Sequence, residues 1–238
     1  MAQRSTTAST APRLEAVVER VQALRERVPA SRSLLVALTG IDASGKGYVA
    51  ARLGERLEAA GLRTAVIGVD GWLDLPHVRF DPRDPGEHFY RHALRFDELF
   101  GQVVFPLCAA RSIHVELDQV EETSTRSHRR RIEHHDRDVL LLEGIFLLKR
   151  EFQDGRYDLA VWIECSFETA LERALARCQE CLAPEETLHA YRTIYFPAQE
   201  LHLERDRPRA GADLVLLNDR GVGEPSQPSG SGWPRGPG

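Results

Sequence analysis

Five short apolar runs restrict what this chain can fold into more than any other feature. They are SLLVALTG (33–40), TAVIGVD (64–70), DVLLLEG (138–144), LAVWIEC (159–165) and ADLVLLND (212–219). None of them alternates apolar with polar residues, so each reads as a strand buried on both faces, which is the habit of parallel sheets. Segments of helical period separate them. Leu14, Val17, Val18, Val21, Leu24 and Val28 recur at helical spacing up to Pro29. Residues 47–60 place Val49, Leu53 and Leu57 on one side and stop at Gly61, and 166–179 reads as a further helix. Strands alternating with helices imply an α/β fold, a parallel sheet covered by helices on both faces.

The 238 residues fit this architecture as one domain, assigned to 13–219. Residues 1–12 are rich in Ser, Thr and Ala, and 220–238 in Gly, Pro and Ser, so both are expected to be disordered tails. No apolar run of about 18 residues occurs, so no membrane span is expected. The opening segment MAQRSTTASTAPR has no apolar signal core, so export is not expected. A net charge of -5 argues against nucleic acid as a partner, which calls for a basic face. Four cysteines, with Cys178 and Cys181 in a CxxC that lacks a zinc-type partner motif, fit incidental thiols in a reducing cytoplasm. The polar stretch SHRRRIEHHDRD (127–138) reads as a solvated helix or loop.

The chemistry is concentrated between the first strand and its helix, in GIDASGKG (40–47). Gly40, Gly45 and Lys46 match the GxxxxGK phosphate-binding pattern. Glycines let successive backbone N–H groups of Gly40, Ile41, Asp42, Ala43, Ser44, Gly45, Lys46, Gly47 and Tyr48 curl around an anion, and the helix N-terminus adds its positive end. Of the 31 basic residues only Lys46 and Lys149 are lysine. A lysine kept in the loop of an arginine-writing chain suits a mobile point charge on phosphate. Gly47 stands where the pattern has the Ser or Thr that ligates Mg²⁺. Glu143 and Asp70 end neighbouring strands, where open α/β sheets bind ligands. Glu143 is assigned to the metal, and Asp70 to proton abstraction from an acceptor hydroxyl with a share in the metal site.

In order along the chain, GIDASGKG, DGWLDLPHVRF, PGEHFYRHALRFDEL, LLLEGIFLLKREF, ALERALARC, YFPAQELHL and ADLVLLND resemble the motifs of the uridine kinase family and its phosphoribulokinase-like relatives, over nearly all of 33–219. The resemblance implies a three-layer P-loop NTPase fold, with a five-stranded parallel sheet, helices on both faces and a helical lid at about 173–203. It implies transfer of the γ-phosphoryl group of ATP, with Mg²⁺, to a hydroxyl of a small nucleoside-like substrate such as uridine or cytidine. It also implies that Arg173 and Arg177 act as lid arginines. The acceptor pocket is expected to draw on Trp72, His77, Arg79, Phe80, His88, Phe89, Tyr90 and Arg91. The sequence departs from the family at Gly47, at Cys178, at Ala190 and Ile194 in the lid, and at His202. A nucleotide-binding protein without catalysis, or a kinase of another small metabolite, therefore stays open, as does the oligomeric state.

Overall fold

The computed structural model describes residues 14–153, 155–177 and 182–219. Both expected tails and the CxxC cysteines lie outside the described residues, as does 178–181 of the expected lid.

The helices are α1 (Leu14–Arg25), α2 (Lys46–Ala59), α3 (Pro76–Arg79), α4 (Pro85–His92), α5 (Phe96–Leu99), α6 (Phe105–Ala110), α7 (Arg150–Gln153), α8 (Phe167–Arg177), α9 (Pro184–Ala190), α10 (Phe196–Asp206) and α11 (Pro208–Gly211). The strands are β1 (Leu34–Gly40), β2 (Thr64–Gly68), β3 (Ile113–Val120), β4 (Ser127–His134), β5 (Val139–Gly144), β6 (Leu159–Glu164) and β7 (Leu214–Leu217). All five expected apolar runs are strands of one sheet, in the order β2-β5-β1-β6-β7, and every pairing in it is parallel.

The continuous apolar runs serve two cores, one on each side of the sheet. Leu34, Val36 and Leu38 of β1 face Val17 and Val21 of α1 and Val49, Leu53 and Leu57 of α2. The intervening Leu35 and Ala37 face the other way, onto a core that includes Trp72, Phe89, Phe100 and Phe146. Two cores explain why no strand alternates in polarity: a polar residue on either face would lose its water without gaining a partner. β1 is central, so the loop that leaves its C-terminal end is flanked by the ends of β5 and β6.

The stretch 127–138 is corrected by the structure. Residues 127–134 form β4, which pairs antiparallel with β3 over eight residues as a separate two-stranded sheet. β3 buries Ile113, Leu117 and Val120, whereas β4 buries Ile132 and leaves its arginines in solvent. Those arginines pair with carboxylates: Arg129 with Glu116 and Asp118 (3.9 and 3.6 Å), and Arg130 with Glu121 (2.8 Å). Cross-strand pairing makes a strand out of a sequence with little apolar pattern of its own.

Candidate active site

The turn between β1 and α2 holds an unusual backbone. Gly45 has φ 86° and is followed directly by Lys46 at the start of α2. A Cβ at Gly45 would stand 2.5 Å from Asn218 Nδ2, so glycine is required twice over, by the left-handed conformation and by the close approach. Two groups brace the loop from outside. Asn218 Nδ2, just past β7, and Arg173 Nη1 of α8 both donate to the Ser44 carbonyl (2.7 and 3.1 Å). Arg173 Nη2 also donates to the Asn218 carbonyl at 2.8 Å. Tyr191, in a π-helical turn (Tyr191–Tyr195), donates its hydroxyl to Asp42 Oδ2 at 2.7 Å.

A cavity of about 530 Å³ opens beside this loop. From the loop it is walled by Asp42, Ala43, Gly45, Lys46, Gly47 and Tyr48, and from the strand ends by Asp70 and Glu143. Arg173 and Arg177 of α8 also line it. Lys46 is 8% exposed, with Nζ 3.9 Å from Asp42 Oδ1. β2 and β5 are paired with Gly68 opposite Glu143, and Asp70 lies two residues beyond Gly68 in a 3₁₀ turn (Val69–Gly71). The register thus brings the two carboxylates to one end of the sheet. A Cβ at Gly68 would come within 2.8 Å of Glu143 Oε1, so the bare glycine makes room for this carboxylate.

Burial raises both acids. The Glu143 carboxyl is pushed up to about 7, chiefly by burial, with Lys46 opposing the shift and Asp70 adding to it. Asp70 is also raised by burial, against the pull of Lys46 and with the push of Asp42. Burial thus favours the protonated form of both acids, and the Glu143 carboxyl exchanges its proton near neutrality, which suits proton transfer. Their oxygens are hard donors of the kind Mg²⁺ takes, although the described residues contain no cluster of three or more His, Cys, Asp or Glu around one point.

Other expected residues are placed elsewhere. Gly40, Ile41 and Ser44 are buried under the loop and do not line the cavity. Of the expected acceptor residues, Arg79 and Phe89 line it. Arg79 is buried and donates from Nη2 to the Glu122 carbonyl at 2.5 Å. Trp72 is corrected: its indole is 2% exposed and packs in the core. Phe80 is corrected too, stacked on Phe89 (5.8 Å between ring centroids) without lining the cavity. His88 is tied to the Val78 carbonyl at 2.6 Å, and Tyr90 donates to Asp206 Oδ2 at 2.6 Å. Arg91 is exposed and paired with Glu87, and His77 is exposed on α3. In a sequence of aromatics and cations, burial and pairing by neighbours decide which residues point inward, and spacing alone does not show this.

Lys149, given no role by its sequence context, is also buried. Its Nζ donates to the Tyr90 carbonyl (2.6 Å) and lies 4.3 Å from the centre of the Tyr90 ring. Sequence reasoning missed Leu73, Glu122, Ile145, Tyr195, Gln199 and Asn218 as cavity residues. Gln199 and Asn218 lie inside motifs read from the sequence, so a signal was present for them. Glu122 sits at the tip of the hairpin, and no pattern in the sequence pointed to it. Gln199 is fully buried, and both its amide atoms lack a hydrogen-bond partner among the described residues.

Neither the family models nor the curated proteins contain a match to this chain. Solved structures do match it. A possible uridine kinase from Bacillus stearothermophilus superposes with a TM-score of 0.62 at 19% identity, covering 84% of this chain and 98% of that one. Phosphoribulokinase from Rhodobacter spheroides gives 0.57 at 13%, covering 79% and 71%. D-glycerate 3-kinase from Cryptococcus neoformans gives 0.57 at 12%, covering 79% and 87%. The chain has the fold of the uridine kinase and phosphoribulokinase-like P-loop kinases. The expected five-stranded parallel sheet is that of this fold. Among the described residues, no helix is long and apolar enough to cross a membrane.

Proposed function

We propose that the protein is an ATP-dependent phosphotransferase whose acceptor is the hydroxyl of a small, neutral, nucleoside-like compound. The observation that carries this reading is one cavity that holds Lys46, Asp70 and Glu143 together with the buried amide of Gln199. A buried carboxamide without partners costs about 1–3 kcal/mol per unsatisfied group until a ligand supplies them. Its donor and acceptor match the amide edge of a pyrimidine or a pair of sugar hydroxyls. Phe89 and Tyr195, packed edge to face at 5.1 Å, and Ile145 and Leu73 give the same cavity an apolar wall for a ring.

Lys46 and the loop N–H groups would bind the triphosphate, and Asp70 would take the proton of the acceptor hydroxyl. The hydroxyl oxygen then bonds to the γ-phosphorus as the bond between that phosphorus and the β,γ-bridging oxygen breaks. ADP leaves, and Asp70 returns its proton to solvent. Glu143, with Asp70, would hold Mg²⁺, which would supply charge neutralisation to the nucleotide. Arg177, in the cavity wall, lowers the carboxyls of Asp70 and Glu143 and would offer the same kind of charge to the transferring group. Arg173 is engaged with the loop carbonyl, so its part is to hold the loop in shape.

Gly47 favours a second reading, a nucleotide-binding protein without turnover. A screen of nucleosides, sugar phosphates and small hydroxy acids with ATP and Mg²⁺, read by ADP release, separates the two. Turnover with a nucleoside is expected. Turnover only with an anionic acceptor would overturn the neutral-acceptor assignment, and the absence of ADP release with every acceptor in the panel would leave the binding protein as the better account.

A further inference from the structure

The phosphate loop carries one acid of its own. Asp42 is the only Asp or Glu in GIDASGKGY (40–48), and it stands in the cavity wall with Ala43 and Lys46. A carboxylate is out of keeping with a loop assigned to phosphate, because like charges repel strongly where water is partly excluded. Its charge reaches across the cavity as well, since it raises both Asp70 and Glu143 at the strand ends.

Both oxygens of Asp42 are engaged. Oδ1 accepts from the Ala43 N–H at 2.9 Å and stands 3.9 Å from Lys46 Nζ. These are two of the donors that the loop has to offer an anion. Ala43 has φ 54°, a left-handed conformation that costs a residue bearing a Cβ, and the bond to Asp42 helps to hold it there. Oδ2 accepts from the Tyr191 hydroxyl at 2.7 Å, which fixes the carboxylate at the loop from the π-helical turn.

We propose that Asp42 is a resident anion of the phosphate loop, which competes with phosphate for Lys46 and the Ala43 N–H and so limits the nucleotide affinity of this chain. This rests on the phosphate-binding part of the function proposed above. Where donors have an anionic partner in the protein, a phosphate group gains only the difference between its own contacts and those it replaces. Tyr191 adds to the effect, because it keeps the carboxylate beside any phosphate that takes those donors from it.

The test is the affinity for ATP and for inorganic tripolyphosphate by isothermal titration calorimetry in EDTA, for the natural chain, Asp42→Asn, Asp42→Ser and Asp70→Asn. Asparagine removes the charge but keeps an oxygen for the Ala43 N–H and an amide that can donate to the Tyr191 hydroxyl, so the loop keeps its bonds. Serine is a smaller neutral acceptor that checks the result if asparagine disturbs the fold. Both Asp42 variants should bind ATP and tripolyphosphate about tenfold or more tightly than the natural chain, the scale of one hydrogen bond to a charged group. Asp70→Asn removes an acid from the strand-end side of the same cavity and should bind as the natural chain does. Unchanged or weaker binding by both Asp42 variants would overturn the proposal and make Asp42 a brace of the loop. An equal gain in Asp70→Asn would overturn it in favour of the general charge of the cavity, and a gain for ATP without one for tripolyphosphate would place Asp42 against the nucleoside instead. If neither the natural chain nor an Asp42 variant binds ATP or tripolyphosphate, the phosphate-binding assignment itself fails and takes this inference with it.

Discussion

At the scale of single residues the site trades stability for chemistry, and Glu143 shows how. Its carboxyl titrates at about 7 in the folded chain against 4.5 for the ordinary group, mainly because it is buried. Between those two values the folded state keeps a proton that the unfolded state has lost. Stability therefore falls as pH rises through this window and levels off above about 7. A shift of this size corresponds to ~3 kcal/mol. Glu143→Gln removes the titration. In the absence of metal it should therefore raise the melting temperature at pH 8 and leave it nearly unchanged at pH 4.5. A denaturation series across pH reads this directly, and a stabilisation equal at both pH values would mean that packing, and not the buried charge, is responsible.

Elements bring distant residues to the cavity, and the hairpin is the one whose contribution sequence did not announce. β4 has charged residues on both faces over most of its length, so neither the two-residue nor the 3.6-residue period stands out, and only pairing with β3 defines it. The loop at its tip, residues 121–126, carries the Glu122 carbonyl that accepts from buried Arg79. Replacing 121–126 by Asn-Gly, a turn suited to a two-residue hairpin, should leave the strands paired. It would remove a charge-assisted hydrogen bond inside the cavity wall, an interaction of about 1.5–3 kcal/mol. The acceptor KM should rise by about tenfold or more, with ATP affinity unchanged; equal loss of both would place the hairpin's effect on the whole fold. The five core strands and α2 were legible for the opposite reason, because burial on two faces demands unbroken apolar runs that no loop imitates. The acceptor wall was legible only in part. Trp72, Phe89 and Tyr90 stand in one polar segment, yet one packs in the core, one lines the cavity and one bonds Asp206. For Phe89 and Tyr90, neighbours on α4, the difference depends on which way that helix faces α10, a tertiary fact.

Across the whole molecule, the sheet order sets what a ligand can do to stability. The loop after central β1 is braced by α8 through Arg173, by the residue after β7 through Asn218, and by the π-helical turn through Tyr191. Elements from both ends of the described chain therefore meet at the loop, and an anion bound there stabilises only a chain in which all of them are in place. A ligand that binds the folded state alone adds RT ln(1 + [L]/Kd), about 2.7 kcal/mol at a hundred times Kd. For a domain of this size, such a gain raises the melting temperature by roughly 5–10 °C. Lys46 and Asp70 share the cavity but differ in chemistry, which makes them a pair for testing this. In EDTA, ATP should shift the natural chain and Asp70→Asn alike, because without metal the aspartate acts on the acceptor hydroxyl and not on the phosphates. The same ATP should shift Lys46→Ala little or not at all, each variant compared with its own ligand-free melt. Asp70→Asn should at the same time lose roughly 10²–10⁴-fold in transfer, the usual contribution of a general base. An unshifted Asp70→Asn would assign the aspartate to nucleotide binding, and a full shift in Lys46→Ala would remove the loop lysine from the phosphate site.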